Sequence, residues 1–584
     1  MLLDKINRPS DLDSLSIEEL KTLSEELRET LLFTLGNKGG HSGPNLAVVE
    51  LTLAIHKVFD APVDKIIFDI SHQTYTHKML TGRKAAFLNK DKHNMVSGFS
   101  SPSESIYDLF TIGHTSTSVS LAHGLAKSRD LKGTNEKIVA VIGDGSLSGG
   151  LALAGLSNVG ELNSNLIIIV NDNDQSIAEN HGGLYENLRN LRMYNGEYHT
   201  NLFTAMGLDY YYVSEGHNLE QLINVLTQVK DCQKPVVVHV QTTKGKGYAP
   251  AEKNKEMFHV GGAIDLNHGV YKQVDFNPSY KTKIREQLCL AMEKDQDVSV
   301  VVAGTPNMLG FTSEIRTKFS KQFIDTGIAE EHAVTMVCAM AKRNLKPVMA
   351  VASTFIQRGY DQLSHDLGLN NSPAAIVVCH TGIDASKEAS HLGLFDIPMM
   401  SNIPNLTYLA PTCVEEQQAM LEYAINQNNG PLAIRMPMGE LQYKGIHDGT
   451  DYSKTNKFQL SSMGEEVAII GVGTFFNLAK EVEAGLIENH SIKPTLVNPK
   501  FISGIDTELL DQLARTHKLI ITLEDGQVEG GFGYKVVNYL SDKEVKAKAF
   551  GFNKEFLNRF DKEEVLKANN LLPEQIVEYI MSIV

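Results

Sequence analysis

Residues 142–150 read Ile-Gly-Asp-Gly-Ser-Leu-Ser-Gly-Gly, and a later apolar run, Leu166–Val170, passes directly into the polar sequence Asn-Asp-Asn-Asp. This order predicts a strand, a glycine-rich turn, a helix, a second strand and a polar turn. Because ligands bind beyond the carboxyl ends of strands in an open parallel sheet, we expect Asp144 and Asn173 to face one crevice. Their oxygens suit Mg²⁺, which takes few protein ligands and completes its shell with water and phosphates. The stretch therefore predicts a magnesium–diphosphate site, where Gly145 lets the diphosphate approach the backbone.

The Gly-Asp-Gly turn also has a simpler interpretation. A lone Gly-Asp-Gly is most often only a tight turn, because short glycine motifs commonly occur by chance. The polar turn that follows the next strand favours the binding site, since both turns are expected at the same edge of the sheet.

Length and composition limit the class of protein. At 584 residues the chain exceeds what one hydrophobic core usually supports, so roughly two to four domains are expected. A net charge of −16 argues against nucleic-acid and anionic-membrane partners, which need a basic face. Five scattered cysteines without metal-ligand spacing indicate a reducing cytoplasm. No leader peptide is evident and no apolar run reaches the ~20 residues of a spanning helix, so we expect a soluble, cytoplasmic protein.

The spacing between the two polar turns resembles a known cofactor motif. The pattern Gly-Asp-Gly, 27 residues, then Asn is similar to the thiamine diphosphate motif of the transketolase superfamily. In that superfamily the aspartate, the asparagine and a carbonyl two residues further on hold the metal. The resemblance implies that Asp144, Asn173 and the main chain of Gln175 bind Mg²⁺, with thiamine diphosphate and Mg²⁺ as the cofactors.

Three further segments resemble the 1-deoxy-D-xylulose-5-phosphate synthase family. Residues 40–51 are similar to its pattern Gly-His-x-x-x-x-Leu-x-x-x-Glu-Leu, with His41 and Glu50 in place. Residues 69–83 are similar to Asp-x-x-His-Gln-x-Tyr-x-His-Lys-x-Leu-Thr-Gly-Arg, and residues 113–118 to Gly-His-Ser-Ser-Thr-Ser. These motifs occur in the family's order, and the likeness extends along essentially the whole chain.

The resemblance also implies which residues contact the cofactor. Glu330, in a stretch similar to the family's Asp-x-x-Ile-Ala-Glu-Gln-His, would contact N1′ of the aminopyrimidine and favour the imino form that activates the cofactor. Phe355 would stack on the pyrimidine ring. The implied catalytic residues are Glu330, His41, His72 and His391. The implied cofactor contacts are His72, His114, Thr115, Ser116, Gly145, Ser146, Asn173, Tyr248, Glu330 and Phe355.

Strand and helix signals alternate through three successive segments, which predicts α/β domains with mostly parallel sheets. We expect a diphosphate- and Mg²⁺-binding domain at 1–270, a pyrimidine-binding domain at 271–445 and a transketolase C-terminal-like domain at 446–584, with a linker at 261–280. Each sheet should carry helices on both faces, and the thiamine diphosphate-binding fold should occur in the first two domains. The resemblance further implies a homodimer.

The reaction that the resemblance implies joins two small molecules. Pyruvate is decarboxylated on thiamine diphosphate, and the remaining two-carbon unit is added to the aldehyde of glyceraldehyde 3-phosphate. The products are CO₂ and 1-deoxy-D-xylulose 5-phosphate, which serves isoprenoid and thiamine biosynthesis. We therefore expect a transketolase-type transferase whose substrates are pyruvate and an aldehyde acceptor.

The family pattern fails where the phosphate of the acceptor would bind. His380, Ser401 and Met438 stand where the family has arginines, Lys387 replaces an aspartate and Ala352 a tyrosine. A guanidinium holds a phosphate through two parallel hydrogen bonds, so the loss of two or three should weaken phosphate binding strongly. The residues left to bind the acceptor are Arg358, His391, Lys387 and His380.

Three hypotheses of different classes follow. The first is the synthase itself with an adapted pocket, and the second is a paralogous carboligase or transketolase that uses another acceptor, with or without a phosphate. The third is a non-catalytic protein kept for assembly or regulation. The presence of Asp144, Asn173, Glu330, His41 and His72 argues against the third, and the sequence does not choose between the first two.

Overall fold

The computed structural model describes residues 1–272, 279–445 and 448–584, which form two compact units. The first unit contains Met1–Phe276 with Gly327–Ala329, and the second contains Asn277–Thr326 and Glu330–Val584. Part of the predicted linker, residues 273–278, and the predicted start of the third domain, residue 446, lie outside the described residues. The three predicted domain ranges therefore stay predictions.

The first unit is built on a five-stranded parallel sheet in the order β1-β2-β3-β5-β4, with a short antiparallel pair, β6 and β7, later in the chain. The strands are β1 (Lys65–Phe68), β2 (Ile138–Gly143), β3 (Ile167–Asp172), β4 (Asp209–Val213), β5 (Val236–Gln241), β6 (Ile264–Asp265) and β7 (Val270–Tyr271). The helices are α1 (Ile17–Asn37), α2 (Ser42–Ala47), α3 (Val49–Val58), α4 (Tyr75–Lys78), α5 (Ala85–Leu88), α6 (Ser118–Lys132), α7 (Gly150–Val159), α8 (Gly183–Met193), α9 (Leu202–Ala205), α10 (Leu219–Val229) and α11 (Ala249–Lys253).

Both faces of the five-stranded sheet are buried, because its central strands are apolar at successive positions. Ile138, Ala140 and Ile142 of β2 belong to one hydrophobic cluster, together with residues of α6 and α7. Val139 and Val141 of the same strand belong to a second cluster, with residues of α3 and α10. Since alternate side chains of a strand point to opposite faces, helices cover this sheet on both sides, as predicted.

The second unit contains two more sheets, one six-stranded and parallel in the order β12-β13-β11-β10-β8-β9, the other five-stranded in the order β14-β16-β15-β17-β18 with only the β14–β16 pair antiparallel. The strands are β8 (Val298–Val302), β9 (Phe323–Asp325), β10 (Lys346–Ala352), β11 (Ala375–Cys379), β12 (Thr407–Leu409), β13 (Leu432–Arg435), β14 (Gln459–Ser462), β15 (Glu466–Gly471), β16 (Thr495–Asn498), β17 (His517–Gln527) and β18 (Lys546–Phe552). The helices are α12 (Tyr280–Lys294), α13 (Ser313–Lys318), α14 (Glu330–Lys342), α15 (Tyr360–Gln362), α16 (Asp396–Met400), α17 (Val414–Asn426), α18 (Phe475–His490), α19 (Thr507–Thr516), α20 (Phe532–Leu540), α21 (Lys562–Ala568) and α22 (Pro573–Met581).

The two sheets of the second unit share one hydrophobic core. A single cluster contains Val351 and Val378 of the six-stranded sheet and Ile470 and Ile520 of the five-stranded sheet. The predicted fold class, α/β with mostly parallel sheets, is confirmed.

None of the helices in the part of the chain that the structure describes is long and apolar enough to cross a membrane.

A buried arginine joins these two sheets. Arg435, the last residue of β13, is 3% exposed, and its Nε donates to Oδ2 of Asp396 at 2.7 Å. Its Nη1 pairs with the carboxylate of Asp525 on β17. Both carboxylates are buried, so they depend on this guanidinium for their counter-charge.

Arg435→Leu is expected to destabilise the second unit by about 3–5 kcal/mol, because removing one member of a buried ion pair leaves the other charge uncompensated. Urea unfolding followed by circular dichroism measures the loss. Lys518→Ala is the control, since Lys518 pairs with Glu466 at the surface, where both side chains are exposed, and such pairs contribute little. Equal midpoints for the Arg435 variant and the wild type would contradict this role.

Candidate active site

Asp144 and the segment after β3 lie against each other in the first unit. Oδ2 of Asp144, directly after β2, accepts hydrogen bonds from the main-chain N–H of Gln175 at 2.9 Å and from Nδ2 of Asn180 at 2.7 Å. Asn173 follows β3 directly, and its carbonyl accepts from Nζ of Lys255 at 3.2 Å. The turns predicted to face one crevice are adjacent because β2 and β3 are neighbouring parallel strands.

The polar groups here fit a magnesium ion. Oδ1 of Asn173 is buried and has no hydrogen-bond partner among the described residues, although buried polar atoms usually have one. Burial and the nearby charge of Asp172 raise the pKa of Asp144 to about 7, so a cation beside it would stabilise the charged carboxylate. Within residues 1–272, 279–445 and 448–584 no three His, Cys, Asp or Glu side chains are placed to hold a metal. The donors that the structure supplies here are the carboxylate of Asp144 and the buried amide oxygen of Asn173, oxygen ligands of the kind that suits Mg²⁺.

The backbone around Gly145 and Ser116 is closely packed. A Cβ on Gly145 would lie 2.8 Å from Cβ of Ser176, so a larger residue would displace that segment. Ser116 has a left-handed backbone, with φ 70°. Its hydroxyl donates to the carbonyl of Ser146 at 2.8 Å and lies 3.2 Å from Oγ1 of Thr115. The structure thus brings together four of the predicted cofactor contacts, namely Thr115, Ser116, Gly145 and Ser146.

A buried carboxylate fixes the Ser116 segment. Asp69, which follows β1, accepts hydrogen bonds from the main-chain N–H groups of Ser116 at 2.8 Å and of Ser118 at 2.9 Å. Burial raises the pKa of Asp69. Asp69 directly follows a strand of the sheet, so these two hydrogen bonds fix the backbone of the Ser116 segment relative to that sheet.

Two of the predicted histidines of the first unit, His41 and His72, lie in one cluster. The rings of His41 and His72 are 5.0 Å apart and nearly perpendicular. His259 completes the cluster, with its ring 5.8 Å from that of His41 and 5.5 Å from that of His72. Burial, with the nearby charge of Lys244, lowers the pKa of His41 to about 4 and that of His259 well below its usual value. His41 and His259 are therefore neutral at pH 7.

A buried ammonium group lies beside Asp144. Lys244 is only 2% exposed, and its Nζ donates to the carbonyl of Ser176 at 2.5 Å. Burial lowers the pKa of Lys244 to about 7, and the charge of Asp144 partly opposes that shift. Sequence reasoning missed both Lys244 and His259. The only signal for the lysine was its place in a glycine-rich loop at the carboxyl end of β5.

Tyr248 occupies a hydrophobic setting. Its ring packs against Phe258 with the ring centres 5.8 Å apart, and its hydroxyl donates to the carbonyl of Leu266 at 3.2 Å. The side chain is 8% exposed. Its contact with the cofactor stays a prediction.

Glu330 begins α14 in the second unit and is 3% exposed. Burial raises the pKa of this carboxyl, and the charge of Arg358, whose Nη1 is 3.6 Å from Oε2, opposes the shift. The rings of Phe355 and His391 are 5.7 Å apart and nearly perpendicular. Nδ1 of His391 is 2.9 Å from the hydroxyl of Ser390. The structure thus pairs Glu330 with Arg358, and Phe355 with His391.

The positions that depart from the family's acceptor pattern lie in different surroundings. His380 has a left-handed backbone, with φ 52°, and its buried Nδ1 has no hydrogen-bond partner within the described part of the chain. Burial, and then the charge of Lys281, lowers the pKa of His380. Met438 lines a cavity of about 410 Å³. Lys387 is exposed, and its carbonyl accepts a hydrogen bond from the main chain of Arg559 at 2.6 Å.

Sequence comparisons match the chain from end to end. The family model described as 1-deoxy-D-xylulose-5-phosphate synthase matches residues 3–201 and 195–242, the transketolase pyrimidine-binding domain matches 277–444 and the transketolase C-terminal domain matches 456–576. Among solved structures, a transketolase from Campylobacter jejuni aligns with 97% of this chain and 100% of its own at a TM-score of 0.44 and 17% identity.

Two relatives named 1-deoxy-D-xylulose-5-phosphate synthase are similar over their full lengths. The one from Clostridium tetani is 38% identical over 621 residues, which cover 100% of this chain and 99% of the relative. The one from Natranaerobius thermophilus is 37% identical over 622 residues, which cover 100% of this chain and 98% of the relative. With these full-length matches and the family model over residues 3–242, the chain belongs to the 1-deoxy-D-xylulose-5-phosphate synthase family.

Proposed function

We propose that this protein is a thiamine diphosphate-dependent transferase that converts pyruvate and glyceraldehyde 3-phosphate into 1-deoxy-D-xylulose 5-phosphate and CO₂, for isoprenoid and thiamine biosynthesis. The observation that carries the proposal is the contact between Asp144 and the Asn173–Gln175 segment, which leaves a buried amide oxygen for a ligand. Full-length similarity to named synthases supports the same reaction. Incubating the protein with both substrates, cofactor and Mg²⁺ and identifying the products by NMR tests it.

The residues proposed to hold the cofactor are those of the first unit described above. Asp144, Asn173 and the main chain of Gln175 would bind Mg²⁺. Ser146 and the amide of Gly145 would donate to the diphosphate, and the ammonium of Lys244 would offset its charge. Ser116 would line the same site and hold its shape, since its hydroxyl and its N–H donate to Ser146 and to Asp69. When bound, thiamine diphosphate supplies an electron sink for decarboxylating a 2-oxo acid and a nucleophilic carbon for forming the new bond.

In the second unit, Glu330 is proposed to hold a proton at N1′ of the aminopyrimidine. Burial raises its pKa, so the carboxyl can keep a proton and share it with a ring nitrogen. Phe355 would stack on the pyrimidine, while Arg358 and His391 would contact the acceptor. In the first unit, His41 and His72 would orient the substrate carbonyl, and a neutral His41 can do so without adding charge.

A second candidate function is a carboligase that uses an acceptor without a phosphate. His380 and Met438 stand where the family pattern has arginines, and the lowered pKa of His380 makes it neutral at pH 7. Neither residue then supplies the positive charge that a phosphate needs. This observation concerns only the acceptor, since the residues proposed for the cofactor are common to both functions.

The kinetics of glyceraldehyde 3-phosphate separate the two functions. We expect pyruvate to be decarboxylated with a high KM for this acceptor, and His380→Arg with Met438→Arg to lower that KM by roughly tenfold or more, since a hydrogen bond to a charged group contributes about 1.5–3 kcal/mol. Met438→Leu is the control, as it keeps the size without the charge. A micromolar wild-type KM would favour the plain synthase and show that the remaining residues bind the phosphate.

We further propose that the enzyme is a homodimer in a reducing cytoplasm. The dimer is what the resemblance implies, and the five cysteines, none of which is in a disulfide, support a reducing compartment. Sedimentation equilibrium should give a mass of twice the 64.3 kDa chain. A mass of one chain at micromolar concentration would remove the dimer from the proposal.

A further inference from the structure

Glu50 of α3 bridges two side chains from different parts of the first unit. Its Oε1 accepts a hydrogen bond from Nη2 of Arg28, on α1, at 2.6 Å, and its Oε2 lies 2.9 Å from Nδ1 of His217. The side chains of Glu50 and Arg28 are 7% and 6% exposed. Although burial alone would raise it, the hydrogen bond from His217 and the charge of Arg28 lower the pKa of Glu50. The carboxylate is therefore charged at neutral pH and holds both partners.

The same two partners hold the main chain on either side of Lys244. Nε2 of His217 accepts from the N–H of Thr243 at 2.9 Å, so a neutral imidazole carries its proton on Nδ1 and donates it to Glu50. Nε of Arg28 donates to the carbonyl of Lys246 at 3.1 Å. Both hydrogen bonds are to backbone groups, and they fix the direction of the chain before and after Lys244.

The position of Lys244 matters because its ammonium is buried beside Asp144. A lysine that is 2% exposed has few alternative rotamers, so its Nζ goes where its backbone directs it, here to the carbonyl of Ser176. A shift of the loop would move the ammonium away from the diphosphate that it is proposed to meet. A misplacement of about 1 Å in such a site is enough to affect function.

We propose that Glu50 is a positioning residue for thiamine diphosphate binding, because it fixes the loop that carries Lys244. Glu50 itself does not touch the cofactor, and it acts through Arg28 and His217. The inference rests on the proposed function, in which Lys244 offsets the charge of the diphosphate. The competing explanation is that Glu50 only stabilises the fold of the first unit.

A double-mutant cycle on cofactor affinity separates these explanations. Isothermal titration calorimetry with Mg²⁺ present gives the Kd of thiamine diphosphate for the wild type, Glu50→Gln, Lys244→Met and the double variant. Lys244→Met should raise Kd roughly tenfold or more, as expected for losing a hydrogen bond to a charged group. Glu50→Gln should raise Kd in the wild type and leave it unchanged when Lys244 is already absent, because the two residues act through one contact. In steady-state assays at varied cofactor concentration, Glu50→Gln should raise the KM for the cofactor by a larger factor than it lowers kcat, because the change acts on cofactor binding.

Asp108 provides the matched control. It is a buried carboxylate in the same unit that also holds a histidine and an arginine, with His77 at 2.9 Å and Arg83 at 2.6 and 2.9 Å. Its hydrogen bonds within the described residues do not reach the Lys244 loop. Asp108→Asn should lower the unfolding midpoint as Glu50→Gln does, but any change in Kd should be the same with and without Lys244.

Additive effects of Glu50→Gln and Lys244→Met on Kd would overturn the proposal and leave Glu50 a stabilising residue only. An unchanged Kd in Lys244→Met would overturn it as well, whereas the proposed function is tested separately, by identifying the reaction products by NMR. If Glu50→Gln does not fold, His217→Ala replaces it in the cycle. That variant removes the contact to Thr243 from a side chain that is 19% exposed.

Discussion

Asp144→Ala is expected to raise the Kd of thiamine diphosphate in the presence of Mg²⁺ by at least roughly a hundredfold. Changing a residue that only orients a metal ligand already lowers metal affinity by about 10- to 100-fold, and Asp144 is proposed to be a ligand itself. The physical reason is that Asp144 is the only carboxylate in the proposed ligand set. Asn173 and a carbonyl would then have to hold a divalent cation without any negative side chain. Calorimetry at several Mg²⁺ concentrations measures both the affinity and its dependence on the metal.

The control for Asp144→Ala is a carboxylate in the neighbouring turn. Asp174 is 51% exposed, pairs with Arg192 at 2.6 Å and has a left-handed backbone, with φ 60°. Asp174→Asn removes the charge and keeps a residue that tolerates this conformation. Its cofactor affinity should stay close to that of the wild type. Unchanged affinity in Asp144→Ala, or an equal loss in Asp174→Asn, would show that Asp144 does not bind the metal.

Much of the first unit followed from local patterns. The apolar run Leu166–Val170 predicted a buried strand, and β3 spans Ile167–Asp172. The contact between Asp144 and Gln175 was predictable as well, because neighbouring parallel strands bring their carboxyl ends to one edge. These inferences worked because each depends on a few consecutive residues and on a general rule of sheet geometry.

The parts that sequence reasoning missed depend on long-range burial. Lysine is usually exposed, so its place in a glycine-rich loop did not indicate that Lys244 is buried near Asp144. His259 follows a polar stretch without a pattern of its own, and it becomes informative only when the fold places it against His41 and His72. Such contacts are made by tertiary packing and leave no periodic signal in the chain.

The same limit applies to the second unit. Alternating strand and helix signals predicted its two mostly parallel sheets, but not that one core would join them. Arg435 and Asp525 are 90 positions apart and carry no shared motif, although they form a buried ion pair. The five-stranded sheet is therefore joined, through Asp525 and Arg435, to the strand that leads to Met438.

Glu330→Gln is expected to keep thiamine diphosphate bound but to slow the exchange of its C2 proton with deuterium by at least ~10², the loss typical of an acid–base contact. Glu330 is 3% exposed and its pKa is raised by burial, so the carboxyl can hold a proton and share it with N1′. Glutamine keeps the size and can still hydrogen-bond, but its amide is too weak an acid to transfer a proton to N1′. Rapid-quench NMR of the bound cofactor measures the exchange rate, and calorimetry measures its affinity.

Glu331→Gln is the control for that experiment, because it removes a carboxylate from the adjacent position of α14. If the negative field near the helix start were enough to promote exchange, both variants would slow it to a similar extent. A specific contact of Glu330 with N1′ requires that Glu331→Gln exchanges at nearly the wild-type rate. Wild-type exchange in Glu330→Gln would mean that another carboxyl group holds the proton, and unbound cofactor in that variant would mean that Glu330 serves binding and not proton transfer. The expected result, affinity kept and exchange lost, occurs only if the buried carboxyl of Glu330 acts on the proton at N1′.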